Sequence, residues 1–117
     1  MSMVLSFLTR QTIIGDQNGS IDYYSEIFDV SAYAELESEL RVFAVLAAST
    51  TIDVDVEGTN DPRLADWQVL SSFSQATAKD EQQLTSSKLL RFVRVKATIN
   101  TAKQAVIEVV GVARESS

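Results

Sequence analysis

The fold follows from the stretch Leu89-Leu90-Arg91-Phe92-Val93-Arg94-Val95-Lys96-Ala97-Thr98-Ile99. Its residues divide into two sets by a two-residue repeat: Val93, Val95, Ala97 and Ile99 on one side, and Phe92, Arg94, Lys96 and Thr98 on the other. Successive side chains of a β-strand point to opposite faces, so this pattern predicts a half-buried strand.

Residues 51–57 alternate in the same way. Ile52, Val54 and Val56 would face inward, and the acidic residues between them, Asp53, Asp55 and Glu57, would face outward. If this strand and the one described above are antiparallel neighbours, Arg94 and Lys96 lie close to these acids. Each such cross-strand pair contributes about 0.2–1 kcal/mol. We therefore interpret the acidic face as structural, paired with the basic face of the neighbouring strand.

The remaining chain is rich in further strand and turn signals. Residues 104–114 form a last strand, and residues 66–73 form another, irregular near Leu70, in which Trp67 packs over a sheet. Residues 21–30 alternate in two registers, one using Ile21, Tyr23 and Ile27 and the other Tyr24, Phe28 and Val30. Residues 16–20 suit a hairpin turn in which Asn18-Gly19 adopts positive φ. Residues 12–14 could end a short strand, and the polar residues 76–87 suggest a surface connection.

The segment 31–48 is consistent with either a helix or a strand. It is rich in helix formers, and Tyr33, Leu36, Leu40, Phe43 and Ala47 have helical spacing. However, Leu36, Leu40, Val42, Ala44 and Leu46 also share one face of a two-residue repeat, with Glu35, Glu37, Glu39 and Arg41 on the other. We favour a long strand over residues 36–47, because the neighbouring segments are strand-like and helix propensity is a weak determinant.

Together these segments predict about seven strands in an all-β, single-domain, antiparallel β-sandwich that is jelly-roll-like and spans residues 1–117. Residues 1–14 form an N-terminal arm or strand of this domain. We expect one core, to which the following residues contribute: Leu40, Val42, Ile52, Val54, Trp67, Val93, Val95 and Val109. A strand-only domain leaves edges that neighbouring copies can cover, so we expect an oligomer.

Composition excludes several classes of function. The chain has no cysteine and no histidine, which removes disulfides, thiolate nucleophiles, Ser-His-Asp systems and zinc sites built on these residues. The net charge of −6 argues against binding nucleic acid through its phosphates. No apolar run approaches the roughly 18 residues that a membrane-spanning helix needs, so we expect no membrane partner, and the start of the chain lacks a secretory signal.

Three candidate sites remain, and we weigh each against a structural role. Asp53, Asp55, Glu57 and Asp61 could bind calcium, but their spacing matches no EF-hand loop. A pair of the same acids could act as in a glycosidase, although any acidic protein offers such pairs. Tyr23, Tyr24, Tyr33 and Trp67 could form a sugar-stacking platform, although we favour packing in the core or at an edge, because nine aromatic residues are ordinary for this length. We therefore predict no catalytic, cofactor-binding or metal-binding residues, and no cofactor.

A resemblance to a known family rests on the order of several motifs. These are Asp29-Val30-Ser31-Ala32-Tyr33 leading into Leu40-Arg41-Val42, then Ile52-Asp53-Val54-Asp55-Val56-Glu57-Gly58-Thr59, Trp67 followed by Phe73, and Arg91-Phe92-Val93-Arg94-Val95-Lys96-Ala97-Thr98. In this order, over about residues 29–112, the chain resembles small β-sandwich structural proteins of tailed-phage and prophage morphogenesis clusters. It departs from them in its glutamate-rich segment 35–39 and in having only four glycines.

The resemblance implies a non-enzymatic virion component, either a head decoration protein or a neck or tail accessory. Its partners would be other virion subunits of the capsid or tail. It also implies a homo-oligomer, with a trimer as the first expectation, located in the virion and made in the host cytoplasm. The alternative is a β-sandwich module that binds carbohydrate or another ligand, and a small carboxylate hydrolase is a third hypothesis.

Overall fold

A computed structural model describes residues 2–64 and 66–115 of the chain, and these residues form nine β-strands. The strands are β1 (Ser2–Ile14), β2 (Ile21–Tyr24), β3 (Phe28–Asp29), β4 (Glu35–Val45), β5 (Ile52–Thr59), β6 (Gln68–Ser72), β7 (Asp80–Ser86), β8 (Phe92–Ile99) and β9 (Gln104–Arg114). None of the described residues forms a helix that is long and apolar enough to cross a membrane.

The strands form two antiparallel sheets that pack face to face. Sheet I has the order β1-β9-β4-β7, and sheet II has the order β2-β8-β5-β6 with β3 also pairing with β8. The pairs are nested: β5 pairs with β6, β4 with β7, β2 with β8, and β1 with β9. This is the pattern of a long hairpin folded over on itself, and it confirms the predicted jelly-roll-like β-sandwich.

The core lies between the sheets and is built by the alternation seen in the sequence. Val93, Val95, Ala97 and Ile99 of β8 are fully buried, as are Ile52, Val54 and Val56 of β5. Seven of the eight predicted core residues are confirmed, with Leu40, Val42 and Val109 completing the set. Phe7 of sheet I meets Phe28 of sheet II edge to face, with ring centroids 5.4 Å apart. Such contacts join the two sheets.

The segment that is also compatible with a helix is a strand, β4. Leu36, Leu40 and Val42 face the core, as the strand pattern predicts. The alternation then changes, because Phe43 is an extra residue between Val42, which pairs with Ile107, and Ala44, which pairs with Val106. Beyond this bulge the predicted inward face is wrong: Leu46 follows the end of β4 and is 58% exposed.

Two expectations about local structure are wrong, and a third is confirmed in part. The polar segment 76–87 is not merely a connection, since β7 lies within it and forms an edge of sheet I. Residues 12–14 do end a strand, as expected, but that strand is 13 residues long and not short. Neither Asn18 nor Gly19 has positive φ, because their turn connects strands of different sheets instead of closing a two-strand hairpin.

The two sides of the sandwich differ. On one side, the edge strands β6 and β7 are joined by a hydrogen bond between the hydroxyls of Ser71 and Ser86. On the other side, the edges β1 and β2 approach at one end, where the Tyr23 hydroxyl donates to the Ile14 carbonyl and accepts from the Ile14 N–H, at 2.9 and 3.0 Å. Between these edges lies an open groove of about 450 Å³, lined by parts of both strands, including Phe7 and Tyr24.

Candidate functional site

The outer face of sheet II carries a cluster centred on Arg94. Its guanidinium lies 4.3 Å from the centre of the Tyr24 ring and 4.1 Å from that of the Trp67 ring. Arg94 Nε also donates a 2.8 Å hydrogen bond to Glu57 Oε1. We call Tyr24, Glu57, Trp67, Arg94 and Lys96 the Arg94 cluster. Stacking on an aromatic face and pairing with a carboxylate are the two interactions that a guanidinium makes best.

The register of sheet II brings these side chains together. Arg94 of β8 lies opposite Glu57 of β5, and Lys96 lies opposite both Asp55 of β5 and Tyr24 of β2. Trp67 comes from the residue that precedes β6. The predicted pairing of the basic face of β8 with the acidic face of β5 is therefore confirmed.

Glu57 is unusual because it is a buried acid on an outer sheet face. Its side chain is only 8% exposed, and its carboxylate meets Arg94 and the Lys96 ammonium, the latter at 3.9 Å. A carboxylate removed from water needs opposite charge and hydrogen bonds close by, and Arg94 supplies both. The aromatic rings shield this ion pair from solvent, so the cluster is a rigid unit.

The part of the cluster that faces solvent is apolar and aromatic. Tyr24 is 50% exposed, and Val69, which lies opposite Glu57 on β6, is 54% exposed. Tyr, Trp and Arg are the residues that most often dominate the energy of protein–protein contacts, and rigid side chains lose little entropy on binding. The arrangement is therefore suited to protein recognition.

Trp67 is the one wrong member of the predicted core. It lies on the outside of sheet II against Arg94, so it does pack over a sheet, but not between the two sheets. Val69 follows Trp67 on the outer face, while Leu70 is an extra residue of β6 that packs against the core. This bulge turns the Leu70 side chain towards the core. It confirms the irregularity that the sequence predicted near Leu70.

Three of the four acids considered for calcium are held in separate contacts. Asp53 accepts hydrogen bonds from the Gln75 side chain at 3.1 and 3.2 Å, and Glu57 is held by Arg94. Asp61 binds the Arg63 guanidinium through both of its oxygens at 3.0 Å. Among the described residues, no three acids are grouped so that they could hold a metal ion.

The same contacts bear on carboxylate catalysis. Hydrogen bonds from the Arg63 side chain and backbone lower the pKa of Asp61 below its ordinary value. A general acid needs the opposite shift, towards a proton retained near neutral pH. Asp61 therefore lacks the property that the hydrolase hypothesis requires of one of its two acids.

The sugar-stacking platform of four aromatic residues that we weighed against core or edge packing does not form. Tyr24 and Trp67 are brought together, but Arg94 lies against both of their rings. Tyr23 uses its hydroxyl on the backbone of Ile14, and Tyr33 packs against the core. The sequence signal that identifies the real cluster is an arginine on the outer face of a central strand, opposite an acid on one neighbouring strand and two residues from the position that pairs with a tyrosine on the other.

No protein-family profile matches the chain, and no curated protein matches it in sequence. Solved structures do share its fold. The PBSX exported protein XepA has a TM-score of 0.67 at 10% identity, and the match covers 100% of this chain. The SPBc2 prophage-derived protein YomS has a TM-score of 0.58 at 13% identity, covering 97% of this chain and 92% of YomS. The structure of TmCBM61 in complex with β-1,4-galactotriose has a TM-score of 0.57 at 8% identity, covering 91% of this chain and 70% of TmCBM61.

At these identities the similarity shows the β-sandwich fold alone. The chain spans 38% of the XepA chain. By their names, XepA is an exported protein and YomS is prophage-derived, and the TmCBM61 structure holds an oligosaccharide.

Proposed function

We propose that this chain is a non-enzymatic structural protein of a phage or prophage virion, a capsid decoration or accessory protein that binds other virion subunits. The observation that carries the proposal is the Arg94 cluster, a rigid aromatic and arginine surface half exposed on the outer face of a sheet. The fold shared with XepA and the prophage-derived YomS supports the phage context. The protein is made in the host cytoplasm, assembles as a homo-oligomer, and requires neither nucleic acid nor membrane as a partner.

The cluster explains how such a protein binds. Tyr24, whose ring lies against Arg94, and Val69, which lies opposite Glu57, present apolar surface to solvent. A partner subunit that covers this surface removes it from water at about 25 cal/mol per Å² of apolar area. The partner does not have to order these side chains first, because Arg94 and Glu57 already hold the cluster in place.

The test is to induce the lysogen that carries the gene and to separate virions from soluble lysate on a density gradient. We expect the protein to band with the particles. The variant Tyr24→Ala should lower the amount bound per particle at least tenfold. Leu46→Ala, which removes a similarly exposed side chain just after β4 of the other sheet, should leave binding unchanged. Protein that stays in the soluble lysate while the particles lack it would contradict a virion role.

A second candidate function is carbohydrate binding, favoured by the exposed Tyr24 beside Trp67 on one sheet face. A saccharide could stack only on ring surface that Arg94 leaves uncovered. Affinity electrophoresis in gels containing β-1,4-galactan separates the two candidates. Retardation that Tyr24→Ala abolishes would favour the carbohydrate module, and unchanged mobility would leave the virion role as the better account.

A further inference from the structure

We propose that two copies of this chain pair along residues 2–6 of β1, antiparallel to each other, with a two-fold axis at Val4. The inference rests on the proposed function and deepens it, because it names the contact that joins one copy to the next. The occupant of the β1 edge is a second copy of the same edge. Sheet I would then continue from one molecule into the other.

Among the strands that the structure describes, none lies on the outer side of residues 2–6, which form the edge of sheet I. Gly15 N–H donates to the Lys103 carbonyl at 2.8 Å, and Leu46 N–H donates to the Gln104 carbonyl at 3.0 Å. The odd-numbered residues of β9 therefore bond β1, and the even-numbered residues bond β4, because the ladder alternates along a strand.

This alternation fixes which groups of β1 point outward. Met3 and Leu5 lie opposite Ala113 and Gly111, so their N–H and C=O groups bond β9. The groups of Ser2, Val4 and Ser6 point away from β9, towards the open edge of sheet I. An antiparallel pair centred on Val4 would match Val4 with Val4, and Ser2 with Ser6, of the second copy. Every outward group would then find a partner without any shift of register.

Residues 2–6 also form the sheet edge best suited to contact between like molecules. The edge strand β7 begins with Asp80 and Glu81, and the edge strand β2 contains Asp22. The edge strand β6 is interrupted by the bulge at Leu70. Residues 2–6 carry no charge and no proline and are free of register shifts. Each copy has a net charge of −6, so copies repel least where a contact surface has no acids.

The side chains on this edge fit the same partner. Val4 is 78% exposed, which is unusual for a valine in a long strand, and lies beside Val112 on the outer face of sheet I. In the pair, Val4 would meet Val4 of the second copy. Val112 and Val4 of one copy and Val4 and Val112 of the other would then form a continuous row across the two-fold axis. This row of exposed and partly exposed apolar side chains would become the centre of the contact.

A cysteine cross-linking experiment tests the pairing directly, because the natural chain has no cysteine. Residues opposite each other across an antiparallel pair are close enough for a disulfide. We expect Val4→Cys to give a covalent dimer in high yield under mild oxidation of the full chain. The matched control is Gln83→Cys, an exposed position on the edge strand β7, which should give at least tenfold less. Equal yields, or a preference for Gln83→Cys, would overturn the proposal.

Sedimentation equilibrium of the cysteine-free protein provides the second measurement. We expect a dimer, and we expect Val4→Lys to weaken self-association at least tenfold, since lysine on an edge strand blocks pairing. The thermal unfolding of Val4→Lys should remain cooperative, because position 4 is exposed. A wild-type monomer at high micromolar concentration, a trimer, or a dimer insensitive to Val4→Lys would each refute the two-fold contact. The virion role is tested separately by the density gradient, on which a monomeric protein can still band with particles.

Discussion

Val95 lies fully buried in the middle of β8, between the two sheets. Val95→Ala removes methyl groups and leaves a small cavity, so we expect the free energy of unfolding to fall by about 1–3 kcal/mol. Val69→Ala makes the same change at a side chain that is 54% exposed and should cost under about 0.5 kcal/mol. Urea denaturation of both variants gives the comparison. Equal losses would contradict the assignment of faces in sheet II.

Arg94 should matter more to stability than an exposed arginine with similar contacts. Arg94→Met leaves the buried Glu57 carboxylate with only Lys96 nearby, and we expect a loss of about 3 kcal/mol. The double variant Arg94→Met/Glu57→Leu should recover much of this loss. The matched control is Arg63→Met, which removes the ion pair with Asp61. The Arg63 side chain is 87% exposed, so the free energy of unfolding should fall by less than about 1 kcal/mol. Chemical denaturation of the four proteins would contradict this account if the two single arginine variants lost equal stability.

Asp29 gives the protein a defined response to acid. The Ser31 hydroxyl donates to its carboxylate at 2.7 Å and the Ser31 N–H donates at 2.9 Å, which lowers the pKa of Asp29, with a further contribution from Arg91. The folded pKa lies below the unfolded value of about 3.9. The stability that this carboxylate contributes is therefore present above the unfolded pKa and is lost as pH falls through the folded pKa.

The Ser31 hydroxyl can be tested separately from the backbone bond. Ser31→Ala removes the hydroxyl and keeps the N–H, so the pKa of Asp29 should rise towards its ordinary value. NMR titration of the side-chain carboxyl measures this shift. An unchanged Asp29 pKa in Ser31→Ala would show that the hydroxyl bond contributes nothing.

The sequence predicts the position of an individual side chain well where a single physical effect determines it. The alternation of β5 and β8 correctly places the inward valines and the outward pairing of Glu57 with Arg94, because one sheet register fixes both. Trp67 escapes prediction, because its size suggests burial in the core and its cation–π contact with Arg94 depends on strand order. Strand order is a long-range property that local patterns do not contain.

Among the elements, the turn that joins β8 to β9 packs against the end of β1 at Gly15. A Cβ on Gly15 would overlap the Asn100 carbonyl oxygen and lie 3.2 Å from the Ala102 nitrogen. Both obstacles are backbone, which cannot move aside as a flexible side chain can. We expect Gly15→Ala to destabilise the protein by roughly 3 kcal/mol.

The matched control for Gly15→Ala is Gly19→Ala in the neighbouring turn. A Cβ at Gly19 meets nothing within 4 Å, and its φ is not positive, so the protein should keep its stability within about 0.5 kcal/mol. Thermal unfolding of Gly15→Ala and Gly19→Ala measures this difference in stability. A larger loss for Gly19→Ala than for Gly15→Ala would contradict the packing of β1 against this turn.

The elements that the sequence predicts least well are edge strands. β7 contains a single large apolar residue, Leu84, so its sequence shows almost no two-residue repeat of apolar and polar side chains. Its backbone pairing with β4 holds it in the sheet. β1 has two register shifts, between Ser6 and Leu8 and between Leu8 and Gln11, which break its two-residue repeat. In contrast, β9 matches its predicted bounds, because its own two-residue repeat is unbroken and leaves one face steadily buried.

For the whole molecule, we predict stability that is independent of metal. Three of the four acids considered for calcium, Asp53, Glu57 and Asp61, are bound separately by Gln75, Arg94 and Arg63. Addition of calcium or of EDTA should therefore leave the melting temperature unchanged. A rise of several degrees with calcium would contradict this expectation, because a ligand that binds only the folded state must stabilise it.

The position of β9 in sheet I also has a consequence for how the protein is made. β9 follows the other eight described strands in the chain, yet it is the described strand with which β1 pairs, so β1 cannot join sheet I before residues 104–114 leave the ribosome, whereas β4 can pair with β7 earlier. Pairing between the two ends of a chain is slow, since a long loop must close first. During translation β1 therefore waits with both of its edges unpaired and its apolar side chains exposed. Neighbouring ribosomes on one messenger RNA would hold several such strands close together, where premature pairing between nascent chains competes with folding.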